Sequence, residues 1–307
     1  MIDSYLFGSV ERISPEAPVP IVDITKKINK LGGAANVATN IKNLGGNPIL
    51  CSVIGNDSNG KILISLLEKL DITHKYIYKS ENRITTDKTR IIGNNHQMLR
   101  IDEEIKTDLH DDKYELLSLI NKIFDENKID CVLFQDYDKG VIDSFIIDTV
   151  TEISNNLNIP ILVDPKKKNF SHYKNIKLFK PNLKEFRDGI DIKTNDRNEL
   201  LKQGSEILHS RGIEIVFVTL SEDGIFVSYK NNNNTINKII PGTKRDVVDV
   251  SGAGDTVLSV LSMLINDMKI EEIAKIANLA GGIVCEEVGV IPIDKVKLMK
   301  EYNEKDY

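Results

Sequence analysis

The 307-residue sequence has little of what marks a secreted, membrane-borne or nucleic-acid-binding protein. Its only cysteines, Cys51, Cys131 and Cys285, stand far apart in apolar runs, without CxxC spacing. That pattern suits buried thiols in a reducing compartment, and it excludes a disulfide scaffold or a thiolate metal centre. No uninterrupted apolar stretch approaches the roughly 18 residues that span a bilayer. The N-terminus lacks the charged start and apolar core of a signal peptide, so a cytoplasmic protein is expected. Positive charge is not in excess. Forty Lys and Arg against 46 Asp and Glu leave a net charge of −6, which argues against a nucleic-acid partner. The five histidines form no HxH or HExxH arrangement for a metal. There is no GxxxxGK[ST], which excludes the ordinary P-loop, and no GxGxxG after a first strand, which argues against a dinucleotide dehydrogenase. No GxSxG elbow is present.

What is there is globular. Hydrophobic residues make up 41% of the chain and charged ones 28%, close to the usual composition. Short apolar runs at 48–55, 130–135, 159–165, 176–181 and 213–220 read as strands buried on both faces. Between them, 112–124 and 145–157 carry apolar residues at helical spacing. This alternation predicts an α/β fold, a mostly parallel sheet flanked by helices. Two segments break the rhythm. Residues 18–29 and 84–102 alternate polar and apolar residues, the second around a "GNNH" turn. They predict a small β lid with segments at about 10–30 and 84–102 on a single domain spanning 1–307. The run "NNNN" (231–234) reads as a hairpin loop and "VIGNDSNGK" (53–61) as a turn. The opening "MIDSYLFG" reads as a turn-like acidic start with no strand before it.

Several stretches carry groups suited to chemistry. "DVSGAGDTV" (249–257) places Gly252, Ala253 and Gly254 directly before an apolar helix. The first amides of that helix lack intrahelical partners and would hold an anion. Asp255, at the same end, could take a proton from a hydroxyl, or it could simply be an N-cap. In "KPNLKEF" (180–186), Asn182 and Glu185 share a face. They fit either a capping box or a pair organising the water shell of Mg²⁺. Gly32 and Gly33 precede an alanine-rich helix bearing Asn36, which suits a sugar hydroxyl or plain close packing. "VTLSEDG" (218–224) turns at a strand end, and "QDYDKG" and "VDPKKKNF" put Lys139 and Lys166 on strand-end loops, where α/β sheets bind phosphates.

In order and spacing, "GGAANVA", "IGNDSNG", "KPNLKEF", "VTLSEDG" and "DVSGAGDTV" resemble the ribokinase-like, or PfkB, family of carbohydrate kinases over essentially the whole chain. The resemblance implies a ribokinase-like fold and an ATP-dependent, Mg²⁺-assisted sugar kinase. "RISPEAPVPIV" (12–22), "KTRIIGNNHQMLRID" (88–102) and "QDYDKG" (135–140) are similar to its heptose-phosphate kinase branch. That implies phosphorylation of D-glycero-D-manno-heptose 7-phosphate at C1, on the ADP-heptose route to lipopolysaccharide or related glycans. The fused adenylyltransferase of many relatives, with its HxGH-type motif, is not expected in this sequence.

The same resemblance makes Asp255 the base and Gly252, Ala253 and Gly254 the anion hole. It makes Asn182 and Glu185 the Mg²⁺ and phosphate organisers, and it places Thr219, Ser221, Gly224 and Asn278 at the nucleotide. Asp3, Gly32, Gly33 and Asn36 would hold the sugar. Arg90, Lys139 and Lys166 would reach the distal phosphate or the triphosphate. Three departures stand out. The family's first strand, ending in Gly-Asp, is missing; Ser251 replaces a usual Thr; and "EEVGVIPI" (286–293) lacks the step tied to monovalent-cation activation. A kinase for another sugar or nucleoside, or a non-catalytic nucleotide-binding member, are the alternatives. Pairing of lid strands between two copies would make a homodimer.

Overall fold

Along the central strands, neighbouring apolar residues point to opposite sides, and the fold covers both. The computed structural model describes residues 1–232 and 234–304. The first elements are β1 (Ile2–Ile13), β2 (Pro20–Leu31), α1 (Ala34–Leu44), β3 (Ser52–Gly55), α2 (Ser58–Lys69), β4 (Ile77–Ser80), β5 (Asp87–Gly93) and β6 (His96–Glu103). Then come α3 (Asp112–Glu126), β7 (Val132–Gln135), α4 (Ser144–Asn156), β8 (Ile161–Asp164), β9 (Leu178–Phe179), α5 (Leu183–Gly189) and α6 (Arg197–Ser210). The chain closes with β10 (Ile215–Thr219), β11 (Ile225–Asn231), β12 (Asn234–Ile240), α7 (Ala253–Leu264), α8 (Ile270–Val284) and α9 (Lys295–Asn303).

The main sheet runs β12-β11-β10-β9-β8-β7, parallel from β7 to β10 and antiparallel beyond. Leu162, Leu178 and Phe217 pack with α1, α7 and α8 on one face. Val163, Phe179, Val216 and Val218 pack with α3 to α6 on the other. The α/β layering read from the sequence is therefore present, with the expected strand at 176–181 reduced to two residues. Helix α7 owes its depth to composition, since every residue from Asp255 to Leu261 is buried.

A second sheet, β2-β1-β5-β6, forms the lid. Its β5–β6 turn holds Asn94 and Asn95 at φ 51 and 64, the double left-handed geometry of a tight hairpin. The expected lid boundary needs correction at its start. "MIDSYLFG" is not a turn; it is the first half of β1, paired with β2 on one edge and β5 on the other. Ile2, Tyr5 and Phe7 are strand formers that outweigh the single acid Asp3, and pairing on both sides completes the strand. Ile2 and Tyr5 are buried there, and Ser4 Oγ donates to Asp87 Oδ1 at 2.8 Å. At the far end of the main sheet, Asn231 pairs with Asn234 across the expected hairpin loop, of which Asn233 lies outside the described residues. The expected turn at 53–61 ends as an N-cap, Asp57 accepting from the Gly60 amide at 2.6 Å.

One junction was not foreseen. β3 does not join the main sheet; it pairs with β4 alone, in parallel. Between β3 and β7 runs a cleft of about 1420 Å³, lined by Val37, Val53, Ile54, Ile120 and Leu133 among others. Met1 also lines it, and burial pushes its α-amino group down to about 6. Among the described residues, the facing edges of β3 and β7 have no ladder partner. Unpaired backbone at such an edge is a template for another strand. An apolar, β-branched peptide of about six residues, added in solution, is therefore expected to pair there. Thermal melting should rise by about 2–4 °C for each kcal/mol gained. An unchanged Tm would show that the cleft receives no strand.

Candidate active site

The ends of β7 to β10 meet the start of α7, and a buried carboxylate sits where they join. Gly252 makes that start possible: it caps α7 at φ 84, a left-handed conformation that side chains rarely adopt. The amide of Ala253 donates to Val250 O at 3.3 Å, closing the turn. By their position in the helix, the amides of Gly254 and Asp255 have no intrahelical acceptor, so the positive end of the dipole opens beside them.

Asp255 is only 6% exposed. Its Oδ2 accepts from Asn36 Nδ2 at 2.8 Å. Its Oδ1 accepts from Tyr137 Oη at 2.8 Å and from Gln135 Nε2 at 3.3 Å. Burial pushes the carboxyl up to about 6, although the bonds from Asn36 and Tyr137 favour its charged form; Asp164 adds to the rise and Lys180 opposes it. Lys180, itself buried, pairs with Asp164 at 3.1 Å. A Cβ on Gly254 would lie 3.6 Å from Lys180 Nζ, so this ammonium faces the glycine turn.

Asn182 and Glu185 form a reciprocal capping box on α5, with bonds of 2.8 and 2.9 Å. The capping reading of "KPNLKEF" is thus realised. The other oxygen of Glu185 accepts from Lys166, which also stands 5.8 Å above the Tyr137 ring. Burial alone would lower the Lys166 ammonium, but Asp164 and Glu185 hold it above its ordinary value. Thr219 bridges to Asn182 between adjacent loops. Ser221 and Gly224 bound the next turn, at φ 55 and 96. Asn278, half-buried on α8, donates to Pro241 O at 2.8 Å.

On the lid side, Arg90 donates to Asp3 Oδ1 at 2.6 Å and lies 5.2 Å from the Tyr5 ring centroid. A Cβ on Gly32 would come 2.1 Å from Asp3 Oδ2, so no larger residue fits beneath that carboxylate. Gly33 turns at φ 57 into α1. Two expected residues are engaged elsewhere. Lys139 pairs with Glu104 at 2.7 Å; burial would raise that carboxyl, but Lys139, Lys106 and Lys88 hold it at about 2. Asn36, expected at a sugar hydroxyl, spends its amide on Asp255 and its oxygen on Asn40.

Four members of the cluster escaped the sequence reading: Gln135, Tyr137, Asp164 and Lys180. All lie in stretches quoted for other residues, just beyond or at the end of an apolar strand. Polar residues at carboxyl ends of parallel strands were the available signal.

Comparisons with known proteins accord with this arrangement. A family model described as pfkB family carbohydrate kinase matches residues 6–296. The bifunctional protein HldE of Aliarcobacter butzleri is 38% identical over 94% of this chain and 60% of its own length. The protein of the same name from Sulfurimonas denitrificans is 38% identical over 98% of this chain and 62% of its own. The chain thus spans about 60% of the length of these curated relatives. Among solved structures, Escherichia coli phosphofructokinase-2 in complex with potassium superposes with a TM-score of 0.80 at 19% identity, covering 99% of this chain and 95% of that one. Arabidopsis thaliana ribokinase, complexed with ribose and ATP, gives 0.69 at 19% identity, covering 97% and 96%. At such identity these structures speak for the fold alone.

The raised carboxyl sets a stability cost with a definite sign. Between the unfolded value of 3.8 and the folded value of about 6, the native state keeps a proton that the unfolded chain releases. Stability from this group therefore falls as pH rises through that window. Above it the ionised carboxylate costs about 3 kcal/mol, from 1.36 kcal/mol per pKa unit. Asp255→Asn is expected to melt higher than the wild type at about pH 7.5, with the difference shrinking below about pH 4. Paired melting curves check this; a variant that melts lower at neutral pH would refute the burial cost.

Proposed function

The chain belongs to the pfkB family of carbohydrate kinases, and from that premise we propose that it transfers the γ-phosphoryl group of ATP to the C1 hydroxyl of D-glycero-D-manno-heptose 7-phosphate. The product would be heptose 1,7-bisphosphate, on the ADP-heptose route to lipopolysaccharide or related glycans. One observation carries the phosphoryl-transfer reading: a buried carboxylate, Asp255, at the amide-rich start of α7, with Lys166 and Lys180 close by. The heptose assignment is supported by the identity to the HldE proteins, which runs through nearly all of this chain.

In this reading the sugar lies between the Gly32–Gly33 turn and the lid residues Asp3 and Arg90. Its C1 hydroxyl meets Asp255, which takes the proton as the oxygen attacks. The bond from phosphorus to the bridging oxygen of ADP breaks in line, and ADP leaves. Of the Gly252, Ala253 and Gly254 turn, the amides of Gly252 and Gly254 face the charge on the transferring group, that of Ala253 being taken by Val250 O, and Lys166 and Lys180 reinforce them. Thr219, Ser221, Gly224 and Asn278 border the nucleotide. Arg90, Lys139 and Lys166 would turn to the phosphates, each from its present acid partner, Asp3, Glu104 or Glu185.

The oxygen donors fit Mg²⁺ held mainly through water and phosphate. Among the described residues, no group of three or more His, Cys, Asp or Glu could cage a metal alone. Asn182 and Glu185 would hold the ion's water shell, Glu185 being shared with Lys166. When bound, the ion neutralises charge on the phosphates.

Two further readings belong here. The lid edge β6 is exposed along its length, with Met98, Leu99 and Ile101 open to solvent, which supports a homodimer through the lids. Light scattering should then give twice the chain mass. A cytoplasmic location fits three free thiols, and among the described residues no helix is long and apolar enough to cross a membrane.

The direct test is phosphorus NMR of the protein with Mg-ATP and the heptose 7-phosphate. An anomeric phosphate should appear with the wild type and fall at least about a hundredfold with Asp255→Asn, the scale of a lost general base. Faster turnover of an unphosphorylated sugar would reassign the substrate. Full activity in the variant would remove Asp255 as the base.

A further inference from the structure

The partners of Asp255 oxygen Oδ1 are not shared out by backbone; they come from two side chains just beyond and at the end of β7. Tyr137 is the closer, donating its phenolic proton at 2.8 Å. Its ring leans on the glycine turn, since a Cβ on Gly33 would come 3.2 Å from Cε2. The ammonium of Lys166 stands over the same ring at 5.8 Å. Tyr137 thus touches the turn before α1, the carboxylate of α7 and the lysine of the β8 loop at once. Burial and the nearby Asp255 charge hold its phenol well above the usual range, so it stays a donor at neutral pH.

We propose that Tyr137 is the positioning residue for the proton acceptor: it keeps Asp255 ionised and fixes the rotation of its carboxylate toward the acceptor hydroxyl. This rests on the reading of Asp255 as the base. The groups facing that carboxylate are Asn36 from α1, Gln135 and Tyr137 from β7 and its loop, Asp164 at the end of β8, Lys166 just after it, and Lys180 after β9. Asp3, from the lid strand β1, acts on the Tyr137 phenol, whose proton its charge helps to hold. Among the described residues, the two nitrogen donors and the phenol bond the carboxylate directly. Of these, the phenol is the one whose strength chemistry can tune without changing shape.

A donor to a carboxylate favours the charged form, so its removal raises the pKa. In Tyr137→Phe the acid limb of kcat/KM against pH is expected to move up by about one unit, since one unit is a tenfold change in ionisation equilibrium. Activity near pH 5 should fall about tenfold more than activity near pH 8.5, and activity near pH 6 about fivefold more, while KM for the sugar stays within about twofold. Replacing Tyr137 by 3-fluorotyrosine, nearly isosteric and a stronger donor, should move the limb down instead. The second measurement keeps the test valid if the phenylalanine variant folds poorly.

Equal loss at every pH in Tyr137→Phe, or a limb unmoved by both replacements, would overturn the proposal and leave Tyr137 a packing residue. A lower sugar KM in the phenylalanine variant would overturn it too, by showing that the phenol merely blocks the acceptor position. If Asp255→Asn keeps both turnover and the acid limb, the base assignment itself fails. Those two failures are distinct.

Discussion

The site depends on one constraint: a carboxylate must be kept out of water, yet charged, at the start of α7. Burial opposes the charge and lifts the carboxyl to about 6. The positive end of α7, two side-chain donors within 2.8 Å and the Lys180 ammonium work the other way. The balance leaves a group poised near neutral pH, where a general base is most useful. The arrangement is expensive in stability, and the apolar stretch from Val257 to Leu261 behind it supplies the anchoring.

A protein with net charge −6 would repel a triphosphate if its charges were spread evenly. Here the cations that matter are gathered around the site, Lys166 and Lys180 just past strand ends and Arg90 within β5, each tied to an acid. Lys180 sits on Asp164, Lys166 on Glu185 and Arg90 on Asp3. Such pairs hold long side chains in place, and in the proposed reading incoming phosphates would compete for the cations. The capping box at Asn182 and Glu185 therefore does not argue against a role at the phosphates. It fixes the Glu185 carboxylate that in turn fixes Lys166.

The split between β3 and β7 is the weak point of the architecture. On one side stand the lid, α1, α2, β3 and β4; on the other stands the main sheet with its helices. Residues from both sides meet at Asp255, Asn36 from the first and Tyr137 from the second. The geometry around Asp255 thus depends on how firmly the two parts are joined. Helix α1 contributes most, because Val37 enters the main core while Ala35 and Ala38 enter the smaller one.

Much of this was legible in the sequence, and the legible part has a common cause. Period-two and helical apolar spacing report burial directly, so the sheet strands, α3, α4 and the lid hairpin with its paired asparagines could be read from local pattern. The glycine turn at 252–254 and Asp255 could be read because positive φ and a helix start are local demands. Pairing between distant segments leaves no such mark. That is why "MIDSYLFG" looked like a turn and became β1, held by β2 and β5, and why β3 was not seen to leave the main sheet. It is also why the pairing of Lys139 with Glu104 was not foreseen, and why Tyr137 and Lys180 went unnoticed. Residue types and spacings by themselves determined the α/β class and where charge and glycine would gather. Which side chains meet around Asp255 was decided only when strand ends far apart in the chain were brought side by side, because hydrogen bonds and desolvation act over a few ångströms of space and not along the sequence.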